Sequence, residues 1–112
     1  MSGGRMIDRE TLLGRCSGEV ELMKELLRDF VERCDGERRL LVTGDEPIHR
    51  RAHKIKGLAL NLSMEPLREK AATLEAKAKE GQDTEVELRE LLETLEATCE
   101  LARSILDEES DE

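Results

Sequence analysis

Between Val20 and Leu106 the apolar side chains recur at steps of three and four residues, and no stretch alternates apolar with polar. That period belongs to amphipathic helices, not to strands half-buried in a sheet. The residue palette narrows the fold further. The chain holds one Phe and no Trp or Tyr, so a core has to be assembled from Leu, Ile, Val, Met and Ala. The residues that dominate the chain, Leu, Glu, Arg, Lys and Ala, are strong helix formers, and only two prolines interrupt them. A chain of 112 residues accommodates one domain. The expectation is an all-α fold, an up-down four-helix bundle with a short extra N-terminal helix.

The punctuation between stripes places the elements. Asp8 can cap a short helix from Arg9, with Leu12 and Leu13 on its apolar side and its end near Gly14 and Cys16. Ser17 or Gly18 opens a longer helix carrying Val20, Met23, Leu26, Leu27, Phe30, Val31 and Cys34. Asp35-Gly36 threatens to break it, but Leu40 and Leu41 keep the spacing, so it is read as continuing with a kink to about Val42. The turn Thr43-Gly44-Asp45-Glu46-Pro47 precedes a third helix to about Leu62, with Pro47 in its first turn, where a missing N–H is harmless. Ser63 reads as the cap of a fourth helix, with Pro66 in its first turn and Leu67, Ala71, Leu74 and Ala78 as its stripe up to Gly81. Leu88, Leu91, Leu92, Leu95, Cys99, Ala102, Ile105 and Leu106 make the fifth. Residues 1–6 are expected to be flexible, 7–106 to form the domain, and 107–112, which carry no core residue, to form a disordered acidic tail.

Charge excludes some functions. The net charge is −9, of which residues 107–112 supply −5, leaving −4 for the rest. An acidic balance disfavours nonspecific binding to nucleic acid or to anionic membranes. No apolar run approaches the length of a membrane span, and the start, MSGGRMIDRE, lacks the apolar core of a signal peptide, so a cytoplasmic location is expected, and an isolated bundle of this size is expected to be a monomer. Cys16, Cys34 and Cys99 are odd in number and too far apart for a metal knuckle, and read as buried thiols in a reducing compartment.

The third helix carries the chemistry. At about 100° per residue, Ile48, Ala52, Ile55, Ala59 and Leu62 share one stripe, while His49, His53, Lys56, Gly57 and Leu60 share another roughly 120° away. The first is core, so the second faces outward. Gly57 stands mid-helix, where Gly costs about 1 kcal/mol relative to Ala, and asks for a reason such as close approach of another molecule. Residues 49–57 hold Arg50, Arg51, Lys54 and Lys56 and no acid. A neutral, exposed imidazole offers a free ring nitrogen that can attack phosphorus, and neighbouring cations can stabilise the charge it acquires. His49 and His53 also make H-x-x-x-H, a zinc-compatible spacing, but no Glu follows His49 and the surrounding cations oppose a metal. No metal or cofactor is expected. Arg50, Arg51 and Lys54 read equally well as steering charges for a partner and as solvated surface, and His49 as a plain surface histidine or a neighbour that assists His53.

His53-Lys54-Ile55-Lys56-Gly57 resembles the H-x-x-K-G signature of histidine phosphotransfer (HPt) domains, the intermediates of multistep phosphorelays. The layout is similar as well, from the opening IDRETLLGR through the long second helix, the Gly44-Asp45 turn, and Asn61-Leu62 to Leu74-Glu75 and Gly81, covering roughly residues 7–106. The family commonly has a small residue where Leu58 stands and Gly where Ser63 stands. The resemblance implies a helical bundle in which His53 is the phosphoacceptor, Lys56 the phosphate-stabilising cation and Gly57 the gap that admits the partner, with Arg50, Lys54, His49 and Leu60 on the binding face. It implies a phosphocarrier without autonomous catalysis, serving a response-regulator receiver domain, a hybrid histidine kinase or both. The competing function is a non-phosphorylated adaptor that keeps the bundle and docks on receivers or other helical proteins; the intact His53, Lys56 and Gly57 count against it.

Overall fold

A computed structural model describes residues 6–110, which form five helices and, among the described residues, no strand: α1 (Arg9–Arg15), α2 (Val20–Thr43), α3 (Ile48–Asn61), α4 (Glu65–Lys79) and α5 (Glu85–Ser110). Asp8 caps α1 as expected, accepting from the Thr11 backbone N–H. α2 is continuous, and Asp35-Gly36 lies inside it. A glycine costs less than the burial gained by carrying Leu41 onto the core.

Two serines expected to open helices instead close the preceding ones. Ser17 and Ser63 adopt left-handed backbone, with φ of 56° and 57°, and Gly81 does the same at 74°. After α3 the Ser63 N–H bonds Leu60 O and the Met64 N–H bonds Ala59 O, a Schellman closure. Residues 16–18 and 80–82 repeat the pattern. The left-handed requirement at position 63 explains why glycine suits this turn; here Ser63 Oγ accepts from Arg15 Nη1 at 2.9 Å, tying the end of α1 to the end of α3. Helices α2 and α4 start from Glu19 and Met64, neither of which makes a side-chain cap. Pro47 sits one residue before α3, and Pro66 falls in the first turn of α4.

The four long helices make a closed ring of contacts, each touching its neighbour in sequence and α5 returning to α2. Arg38 pairs with Glu96, and Cys34, one turn earlier, meets Cys99, so α2 and α5 run in opposite directions. Most of the predicted stripes form the core, including Leu27, Phe30, Ala52, Ile55, Ala59, Leu67, Ala71, Leu74, Leu91 and Leu95, whereas Val20 and Leu40, expected on the α2 stripe, are exposed. All three cysteines are buried free thiols. α3 and α4 form the most extensive pairing. Fully buried Ala52 and Ala59 on one helix and Ala71 on the other keep their side chains short there.

The expected acidic tail needs correction. α5 continues through Ser110, so residues 107–110 are helical. Leu106 packs against the core, and Glu108 reaches back to Arg9 in an ion pair, giving the last turn partners that a linear reading does not supply. Of the expected flexible ends, residues 1–5 and 111–112 lie outside the described residues.

Candidate functional site

His53 emerges midway along α3 with 65% of its side chain exposed. Its Nδ1 lies 2.9 Å from Oε2 of Glu75, a residue of α4 whose side chain is only 8% exposed. The same carboxylate receives Lys56 Nζ on Oε1 at 2.7 Å and Lys79 Nζ on Oε2 at 3.4 Å. The hydrogen bond from Lys56, with those from His53 and Lys79, lowers the Glu75 pKa from 4.5 to about 2 against the opposing effect of burial. Glu75 is therefore a carboxylate at neutral pH and can only accept. Nδ1 must then carry the ring hydrogen, and in the neutral imidazole the lone pair falls on Nε2, which has no hydrogen-bond partner among the described residues. A buried anion orients the ring and sets its tautomer, and the nitrogen that holds the lone pair is left outside.

Gly57 lies one turn on, exposed, and a Cβ placed there would meet nothing within 4 Å. The mid-helix glycine is therefore not demanded by packing inside the protein. Leu60, another turn along, is 53% exposed, completing an exposed face of His53, Gly57 and Leu60.

The remaining basic residues divide. Arg51 is a structural clamp, donating from Nε to Glu46 O at 2.7 Å and from Nη1 to Leu41 O at 2.6 Å, which fastens the end of α2 to the start of α3. Lys54 pairs with Glu46 at 2.9 Å and not with the histidine. Arg50 is exposed and makes no hydrogen bond or close ion pair among the described residues, its charge acting on Glu46 from a distance, and His49 is partly buried with no hydrogen bond or ion pair among them. The concentrated positive charge legible in residues 49–57 thus reaches His53 mainly through Lys56. Among the described residues no three His, Cys, Asp or Glu side chains are grouped to hold a metal ion, and no helix is long and apolar enough to cross a membrane.

Glu75 and Lys79 are the site residues that the sequence reading did not assign. A signal existed. Glu75 stands four residues after Ala71 and eight after Leu67, a charged residue on the apolar stripe of α4, and buried carboxylates need partners.

The profile of the Hpt domain family matches residues 20–101 of the chain. The chain belongs to the Hpt domain family. The matched span contains the whole of α2, α3 and α4 and most of α5, and with them His53, Lys56, Gly57 and Glu75. Hpt domains are helical bundles that take part in histidine phosphotransfer within phosphorelays, acting as phosphocarriers. No curated protein and no solved structure matches this Hpt domain.

Proposed function

We propose that this Hpt domain is a phosphocarrier whose acceptor atom is Nε2 of His53, loaded from the aspartyl phosphate of a receiver domain, or by a histidine kinase, and discharged to a response-regulator aspartate. One observation carries the reading: an exposed imidazole has its Nδ1 on a buried, ionised carboxylate and its Nε2 unpartnered. In loading, the Nε2 lone pair attacks phosphorus, the N–P bond forms, and the P–O bond to the donor carboxylate breaks with its electron pair. The ring gains positive charge while Nδ1 keeps its hydrogen, and the Glu75 carboxylate opposite stabilises that charge. Discharge is the reverse: the protonated ring leaves as neutral imidazole. Lys56 shares the Glu75 carboxylate with the ring and turns from it onto the incoming phosphoryl oxygens, and Gly57 leaves room for the partner's active site above the ring. Exposed Leu60 and Arg50 extend the docking face on either side, with His49 and Lys54 at its margin. The receiver supplies the remaining catalytic groups, so the domain is a carrier and not an enzyme.

The test is transfer from a panel of phosphorylated receiver domains to the purified protein, run beside His53→Gln. An acid-labile, base-stable label on the wild type that is lost in the variant is the expected result. No label from any competent donor would overturn the proposal and leave an adaptor that binds without phosphorylation.

A further inference from the structure

Glu75 is held by two cations from two helices. Lys56 comes from α3, whereas Lys79 stands one turn beyond Glu75 on α4 itself, in the Glu-to-Lys order that favours pairing along a helix. Phosphorylation makes these two unequal. A phosphoryl group on Nε2 carries up to two negative charges on oxygens that compete for Lys56. If Lys56 turns to them, Oε1 of a carboxylate only 8% exposed loses its partner, and a buried charge without a cation is costly. Lys79 shares a helix with Glu75, so its pairing survives that exchange.

We propose that Lys79 is a positioning residue, holding the Glu75 carboxylate in place while Lys56 is drawn onto the phosphoryl group, so that Glu75 goes on accepting the Nδ1 hydrogen of phosphorylated His53. This rests on His53 being the phosphoacceptor. Without Lys79 the unphosphorylated protein still has Lys56 on Glu75, but the phosphorylated protein must divide one lysine between two anions. The penalty therefore falls on the phosphorylated form.

The experiment equilibrates the full chain with a phosphorylated receiver domain and measures the ratio of phosphohistidine to phosphoaspartate. Lys79→Gln should lower that ratio about threefold, the effect of one partly exposed ion pair. Lys79→Arg should restore it. In a Glu75→Gln background, loaded on His53 with phosphoramidate, freed of the reagent and then equilibrated with the unphosphorylated receiver, Lys79→Gln should leave the ratio where Glu75→Gln alone puts it. An unchanged ratio in Lys79→Gln, or an equal fall in the Glu75→Gln background, would overturn the proposal; a lysine serving only helix stability would lower the melting temperature and leave the ratio alone. A wild type that takes no label on His53 from a demonstrably phosphorylated receiver refutes the carrier reading first, and this inference with it.

Discussion

Glu75→Gln removes the charge beneath His53 while keeping the side chain's shape, and its effect on stability has a defined pH signature. Glu75 has its pKa lowered from 4.5 to about 2, chiefly by Lys56 and then by His53 and Lys79. A shift of that size corresponds at face value to about 3 kcal/mol. Lys56 and Lys79 are 31% and 59% exposed, so solvent screening reduces a realistic contribution to about 1–2 kcal/mol. The sign follows from the depressed folded-state value. The contribution is complete above 4.5, where the carboxylate is ionised in both folded and unfolded chains, and is lost as pH falls toward about 2. Urea unfolding of the wild type and of Glu75→Gln should therefore give stabilities that differ by about 1–2 kcal/mol at pH 7 and converge on acidification, with more than half of the difference gone by about pH 3. Taking the difference between the two proteins cancels the titration of every group that behaves alike in both. A difference that stays constant from pH 7 to pH 3 would refute the ionised, ion-paired Glu75, and with it the argument that places the hydrogen on Nδ1 of His53.

Other expectations can be checked alongside. Gly57→Ala puts a methyl group into open space on a helix and should stabilise the fold by about 0.5–1 kcal/mol in thermal or urea unfolding. Gly57→Leu should fold equally well and accept phosphate on His53 from phosphoramidate at the wild-type rate, but lose at least tenfold in transfer from a phosphorylated receiver; an equal loss with both donors would contradict the partner-access role. Arg51→Met removes two hydrogen bonds to carbonyls at the α2–α3 turn and should cost about 1–3 kcal/mol in urea unfolding.

The sequence alone determined that the protein is helical and where most of its core lies. An apolar side chain every three or four residues can be buried only on one face of a helix, whatever the neighbours are. It also placed His53, Lys56, Gly57 and Leu60 on one face, because helix geometry sets positions three, four and seven residues apart without reference to the rest of the fold. The tertiary structure decided what those residues meet. Ser17 and Ser63 fit the sequence rule for opening a helix equally well, and the backbone conformation that closes α1 and α3 assigned them to helix ends. The acidic end of α5 looked unsupported until Glu108 met Arg9 on α1. Arg51 and Lys54 counted as charge near a histidine, but the α2–α3 turn claims Arg51 through its carbonyls and Lys54 through Glu46. Above all, Glu75 lies 22 residues from His53 on another helix. The register of α4 against α3 is set by which buried side chains interlock, and that register puts a carboxylate beneath one imidazole. A local period cannot express it, because it repeats within each helix and says nothing about the offset between two.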